Sequence, residues 1–217
     1  MAGEDSVLRG LPSLDRPLPE FAADAAPDEP VTLFGAWLRD AIEAGVAEPH
    51  AMTLSTIGAD GAPAARVLIL KAFDADGFQF ATSADSPKGA DLQARPAAAL
   101  TFYWSHFGRQ VRVRGEVHRA PSEVSAQDFL ERSVEARAAA IAGRQSSRLT
   151  DPEDLESAIA DAARKLEAQP EYVSSTWTRY VLRPAEVEFW QGNAQRRHTR
   201  LRYRRDGAGW VRELLWP

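Results

Sequence analysis

The sequence predicts a mainly β protein with peripheral helices, an α+β fold in which antiparallel strands close into a barrel. Three observations predict it. Apolar and polar residues alternate at period two in several short runs, as in half-buried strands. Gly- and Asp-containing turns join consecutive runs, which marks locally paired strands rather than parallel ones. Neither a GxGxxG loop nor a Walker sequence occurs, so nothing supports a parallel α/β nucleotide fold.

The elements follow in chain order. Residues 1–27 are rich in Pro, Ala and acids and show no period, so they read as a mobile arm ahead of one domain over 28–217. Asp28-Glu-Pro30 offers helix-start chemistry, and Leu33, Phe34, Trp37, Leu38, Ala41 and Ile42 recur at helical spacing up to a stop at Gly45. Residues 52–57 then alternate as a strand, and Gly58-Ala-Asp-Gly61 turns the chain. Residues 65–70 form an unbroken aliphatic run, which predicts a strand buried on both faces. A turn at 74–77 leads to a strand at 78–82. Ser86-Pro87 opens a short helix, with Ser as cap and Pro in the first turn. Residues 97–104 and 110–119 read as strands; in the second, Val111, Val113, Gly115 and Val117 face one way and Arg112, Arg114, Glu116 and His118 the other. Helices are expected at 125–132, 135–142 and from the Asp151-Pro152 cap to about residue 167. Strands near 178–182, 187–191, 201–205 and 210–215 complete at least seven.

Composition narrows the function. At 217 residues the chain is long enough for one sizeable core. Its net charge of -5 argues against nucleic acid as a partner. No cysteine is present, which removes disulfides, thiolate metal sites and cysteine nucleophiles. The four histidines lack ligand spacing, so no metal is expected. No apolar run approaches the roughly 20 residues of a membrane span, and the N-terminus lacks signal-peptide order. A cytoplasmic location is the default expectation.

Four basic segments carry candidate chemistry. Arg66 and Lys71 bracket a strand and suit a phosphate at its rim, or simply end it in solvent. Thr82, Ser86 and Lys88 combine hydroxyls, a helix N-terminus and an ammonium, a set that can cradle phosphate; plain capping explains Ser86 but leaves Lys88 over. Arg109-Gln110 and Gln145-Ser146 offer neutral groups for the polar edge of a heterocycle, though alone they are weak signals. After Trp190 and Gly192, the residues Arg196, His198 and Arg200 stand at alternate positions. On a strand they would share one face and suit a planar anion; an Arg-rich exposed edge gives the same pattern.

Taken together, these segments resemble the pyridoxamine 5'-phosphate oxidase family. The pieces that carry the resemblance are Arg66-Val-Leu-Ile-Leu-Lys71, Ser86-Pro-Lys88-Gly, Arg109-Gln110-Val-Arg-Val, Gln145-Ser146-Ser, Glu188-Phe-Trp-Gln-Gly192, Arg196-Arg-His198-Thr-Arg200 and the ending Glu213-Leu-Leu-Trp-Pro217. The resemblance spans about residues 33–217. It implies an FMN-binding split β-barrel that works as a homodimer, with FMN at the subunit interface. It implies that Arg66, Val67, Leu68, Lys71, Ala81, Thr82, Lys88, Gln110, Gln145, Ser146, Trp190 and Arg200 bind FMN. Lys71, Arg132, Arg196 and His198 would face a small-molecule substrate, with Arg196 and His198 catalytic. The implied reaction converts pyridoxamine or pyridoxine 5'-phosphate to pyridoxal 5'-phosphate, with dioxygen as acceptor.

The chain also departs from that pattern. Pro87 replaces a basic residue, Asp128 stands where a tyrosine is expected, Ala136 where a serine is, and Ser133 follows Arg132 in place of proline. The segment 174–179 keeps Trp177 but not the usual glycines. A carboxylate at 128 pointing inward would repel a substrate phosphate by more than ~1 kcal/mol. Two alternatives follow: an FMN-dependent oxidase of another flat cyclic substrate, such as a dihydrophenazine precursor, and a flavin-binding split barrel without turnover.

Overall fold

A computed structural model describes residues 4–217. Among the described residues there are six α-helices and nine strands: α1 (Glu4–Arg9), α2 (Pro30–Glu43), β1 (Ala51–Ile57), β2 (Pro63–Ile69), β3 (Ala72–Asp74), β4 (Gly77–Ser83), α3 (Pro87–Ala94), β5 (Ala97–Trp104), β6 (Arg109–Arg119), α4 (Ser122–Leu130), α5 (Val134–Ala142), α6 (Pro152–Ala168), β7 (Trp177–Gln191), β8 (Thr199–Asp206) and β9 (Gly209–Leu214). The strands form one sheet in the order β2-β1-β5-β6-β7-β4-β3, with β8 on β7 and β9 on β8. The β1–β2, β3–β4, β4–β7, β7–β8 and β8–β9 pairs are antiparallel. Residues divide into two compact units. One takes the chain through His50, Thr101–Val113 and Ala185–Pro217; the other takes Ala51–Leu100 and Arg114–Pro184.

In the first unit, the helical spacing of the sequence becomes a buried face: Pro30, Leu33, Phe34, Trp37, Leu38 and Ala41 of α2 are covered, whereas Ile42, expected on the same face, is 58% exposed. Phe34 packs 4.9 Å from Phe102, and Trp37 meets Phe189 edge-on at 5.1 Å. Fully burying such a side chain contributes roughly 1.5–3 kcal/mol. Arg109 is buried here, with its guanidinium 4.5 Å from the Trp37 ring, its Nε donating to Gln191 and a 2.7 Å ion pair to Asp40. That accounts for Arg109 as a structural residue.

The stretch 1–27 reaches into this unit. Residues 1–3 lie outside the described residues. Leu14 and Ala26 are buried, Phe21 meets the Trp37 ring at 5.0 Å, and Arg16 donates to the carbonyls of Ser105 and His106. Two scattered apolar side chains, Leu14 and Phe21, give a stretch without periodicity its points of attachment.

The second unit is built on the β1–β2 hairpin, β4, and the first part of β7. Met52, Leu54, Phe78, Phe80, Tyr180 and Leu182 are buried, and Phe80 stacks on Tyr180 at 5.5 Å. Gly77 has a φ of 142°, and a Cβ there would collide with the Leu182 carbonyl oxygen; only glycine lets β4 approach β7 so closely. Helices α5 and α6 pack through Ala138, Ala162 and Leu166, against Ile141, Ile159 and Tyr172.

Two expectations need correction. Strand β2 is not buried on both faces: it lies at the sheet edge, its Val67 is 66% exposed, and each second residue is open to solvent. An unbroken aliphatic run reports hydrophobicity, not position in the sheet. The expected strands at 178–182 and 187–191 are one strand, β7. Pro184 falls between the pairing to β4, which ends at Leu182, and the pairing to β8, which begins at Glu186, so its missing N–H interrupts neither ladder.

Candidate active site

An anion cradle forms in the second unit where β4 runs into α3. Ser86 caps α3: its hydroxyl accepts from the Gly89 N–H at 3.2 Å and donates to the Ser83 carbonyl at 2.7 Å. Pro87 occupies the first turn. Lys88 is thereby turned inward and is only 5% exposed. Its ammonium donates to Thr82 Oγ1 at 3.1 Å, Ser86 Oγ at 3.3 Å and Gln145 Oε1 at 2.7 Å. A Cβ on Gly89 would strike the Ala84 carbonyl oxygen, so the helix start is locked against the preceding turn.

The charge balance of the cradle is one-sided. No carboxylate pairs with Lys88 among the described residues. Burial pulls its pKa below the usual 10.5, and the Arg66 charge pulls it further. Arg66 is held by Thr56 Oγ1 at 2.7 Å and the Leu54 carbonyl at 3.3 Å, with Asp91 3.8 Å away. Thr56 in turn donates to Asp91 at 2.7 Å. A buried ammonium beside a fixed guanidinium is costly in an empty protein and is compensated when an anion binds. A phosphate group fits that donor set, with Gln145, on an exposed loop, as the exchangeable partner.

The other residues expected near this cradle are less engaged. Val67 points to solvent, Leu68 and Ala81 are half-buried strand residues, and Ser146 is exposed with a left-handed φ of 67°.

A second cluster in the same unit joins Lys71 and Arg132 to Asp128, the carboxylate already expected to bear on a substrate phosphate, and to Arg179, which sequence reasoning left without a role. Asp128 on α4 is 3% exposed and lies 3.4 Å from the Lys71 ammonium and 3.5 Å from Arg179. It accepts a 2.7 Å hydrogen bond from the Trp177 indole. The Arg132 guanidinium lies over the Trp177 ring at 4.2 Å and donates to the Ala136 carbonyl at 3.1 Å. Arg179 is steadied by Gln79 at 3.0 Å. The only advance signal for Arg179 was that the segment 174–179 lacks the usual glycines.

In the first unit, Trp190, His198 and Arg200 gather around the loop from β7 to β8. Trp190 pairs with Arg200 across the two strands. The expected common strand face is overturned for Arg196 and His198: β8 begins at Thr199, and Arg196 sits in a turn with φ 64°. Gly192 and Asn193 start this turn early, and the Arg196 N–H closes it on the Asn193 carbonyl at 3.0 Å. The turn serves His198 differently. The Asn193 N–H donates to His198 Nδ1 at 3.0 Å, which leaves the neutral ring's proton on Nε2. The ring lies 4.9 Å from that of Trp190. Burial, then the Arg196 charge, lowers the His198 pKa below 6.5. An NMR titration of the imidazole is expected to show a midpoint under 6.5; a midpoint above it would contradict this environment.

Arg200 is fixed by Glu188, 2.9 Å from its Nε, and by the Trp216 carbonyl at 2.8 Å. Glu188 is buried and also pairs with Arg112. Burial raises its pKa, but the hydrogen bonds and charges of Arg200 and Arg112 outweigh that and hold it below the usual carboxylate range. Gln110 is half-buried on β6.

An antiparallel sheet of this order with an anion cradle beside β4 defines a split-barrel protein. Residues 38–166 match the family profile described as pyridoxamine 5'-phosphate oxidase, and residues 177–217 match the pyridoxine 5'-phosphate oxidase C-terminal dimerisation region. The chain belongs to the pyridoxamine 5'-phosphate oxidase family. It is 41% identical over 197 residues to the pyridoxine/pyridoxamine 5'-phosphate oxidase of Rubrobacter xylanophilus, covering 91% of each chain. It is 44% identical over 201 residues to the protein of that name from Salinibacter ruber, covering 91% of this chain and 94% of the relative. Among solved structures, it is similar to PhzG from Burkholderia lata in complex with tetrahydrophenazine-1-carboxylic acid, at 34% identity and a TM-score of 0.86, over 95% of this chain and all of the other. A pyridoxamine 5'-phosphate oxidase-related, FMN-binding protein from Nostoc punctiforme shares the fold at 20% identity and a TM-score of 0.71, over 88% of this chain and all of the other.

Proposed function

We propose that this chain is an FMN-dependent oxidase of a flat ring substrate, active as a homodimer with FMN at the subunit interface. The observation that carries this reading is the buried Lys88 ammonium, without a carboxylate partner among the described residues and facing the charge of Arg66. FMN, when bound, supplies a two-electron acceptor that dioxygen can reoxidise. The chain's residues do the rest. Lys88, Arg66, Thr82 and Ser86 hold the phosphate. Trp190 and Arg200 give a flat wall and a fixed cation. His198 presents its Nε2–H, and Arg196 an exposed guanidinium, to orient the substrate. The dimer is supported by the dimerisation-region match and by apolar side chains left open in the single chain: Val67 at 66%, Leu214 at 70% and Trp216 at 92%. No described helix is long and apolar enough to cross a membrane; a cytoplasmic site remains our reading from composition.

Two substrate readings stand. Oxidation of pyridoxamine or pyridoxine 5'-phosphate to pyridoxal 5'-phosphate is supported by the names of relatives more than 40% identical. Oxidation of another flat cyclic compound, such as a dihydrophenazine precursor, is favoured by the carboxylate of Asp128 beside Lys71 and by the similarity to PhzG. Purified protein is expected to be yellow and to release FMN on denaturation. Anaerobic addition of the true substrate class is expected to bleach the flavin, and air to restore it with formation of peroxide. A colourless dimer that takes up no added FMN overturns the proposal. Flavin that no ring substrate bleaches replaces it with flavin binding without turnover.

A further inference from the structure

We propose that Leu14 is a positioning residue for His198: its side chain pins the start of the turn between β7 and β8, and that turn holds the imidazole through the Asn193 N–H. The use of the imidazole in catalysis rests on the oxidase reading; its placement does not.

Leu14 stands apart from its neighbours. Residues 7–13 and 15–17 are exposed, whereas Leu14 is only 8% exposed. Its backbone has a left-handed φ of 58°, unusual for a bulky residue. Such a conformation persists where the surroundings dictate it.

The surroundings are specific. The Leu14 side chain lies over two glycines. A Cβ on Gly192 would come within 3.0 Å of both Leu14 methyl groups, and one on Gly108 within 3.1 Å of a Leu14 methyl. The missing β-carbons form the seat that the leucine fills. The two glycines are themselves joined, the Gly192 N–H donating to the Gly108 carbonyl at 2.7 Å. Two residues beyond Leu14, Arg16 donates to the carbonyls of Ser105 and His106 and fastens the same stretch to the chain ahead of Gly108.

From Gly192 the link to the imidazole is one residue long. Asn193 follows, and its N–H donates to His198 Nδ1 at 3.0 Å. Past Asn193 the turn borders a cavity of about 590 Å³, lined by Leu18 and Phe21 of the N-terminal stretch and by Gln195, Arg197 and Thr199. The turn is packed at its Gly192 end and open behind its middle, so whatever seats Gly192 sets the direction of the Asn193 N–H. The charged groups about the ring are Arg196 beside it and Arg16, Glu20 and Arg197 on the cavity. An N–H aimed at Nδ1 and a partly desolvated ring both oppose protonation. A turn that slackens gives up both, and Nδ1 becomes free to take a proton.

The test is an NMR titration of the histidine side chains in the full-length protein with FMN added, His198 being assigned by its loss in His198→Gln. In Leu14→Ala the His198 midpoint is expected to rise by about half a unit or more, a change of about threefold or more in the charged-to-neutral ratio. Leu14→Met, which refills the seat, is expected to stay within about 0.2 unit of wild type. An unmoved midpoint in Leu14→Ala overturns the inference, as does a shift in Leu14→Met as large as that in Leu14→Ala. If Leu14→Ala does not fold, Gly192→Ala decides. Its methyl group presses on an intact Leu14, so the His198 midpoint is expected to rise there too, and an unmoved midpoint overturns the inference. A loss of global stability alone moves none of these midpoints, because each is read while the variant is folded. FMN uptake by the wild type, read from absorbance, scores the oxidase reading separately.

Discussion

Lys88→Met weakens FMN binding by about 10- to 100-fold, the loss of one or two charge-assisted hydrogen bonds to phosphate worth roughly 1.5–3 kcal/mol. The same change leaves the empty protein as stable as before or more so, because methionine fills similar space without a buried charge. Opposite signs for affinity and stability separate this outcome from general damage to the fold. The pH dependence follows from the lowered Lys88 pKa. Between that value and the ordinary 10.5, the unfolded chain holds a proton that the folded one has released, so stability of the empty protein rises with pH across that window. A bound phosphate favours the charged form and removes the effect. Fluorescence quenching of FMN and thermal melts from pH 7 into the alkaline range check both parts. Wild-type affinity retained in Lys88→Met would mean that the phosphate is held elsewhere.

Glu188→Gln costs the second largest amount, about 2–3 kcal/mol of folding stability. Breaking a buried pair by removing one partner costs roughly 3–5 kcal/mol, and the figure is reduced here because Arg112 is about half exposed and Arg200 about a quarter. The Glu188 carboxyl is held below its ordinary range. Its contribution is therefore fully present above the unfolded-state value near 4.5 and is lost as pH falls through the lower folded value. The glutamine variant lacks that acid-side loss. Urea melts at pH 7 and in the acid range measure both effects. A variant as stable as wild type at pH 7, with the same acid slope, would show that Arg112 and Arg200 hold themselves.

Much of the fold was legible because period and turn chemistry are local. The alternation of Val111, Val113 and Val117 with Arg112 and Arg114 on β6 is reproduced in the burial pattern, and Ser86-Pro87 starts α3 as its capping chemistry required. The anion cradle was legible in part for the same reason, since Thr82, Ser86 and Lys88 lie within seven residues. Partners distant in sequence were not. Gln145 reaches Lys88 across 57 positions, and Glu188 reaches Arg112 across 76. The alternate spacing of Arg196, His198 and Arg200 suggested a strand because spacing alone does not register a turn with positive φ at Arg196. Asp128 was flagged by its residue type, but its counter-charge, Arg179, became visible only when α4 and β7 were in place.

The pairing of Asp128 with Arg179 has a consequence for anyone who would redesign this enzyme. Because each side chain neutralises the other inside the protein, their substitution effects do not sum. A scan that exchanges one position at a time will score both sites as intolerant, and a library that varies them jointly will find neighbours the scan declares forbidden.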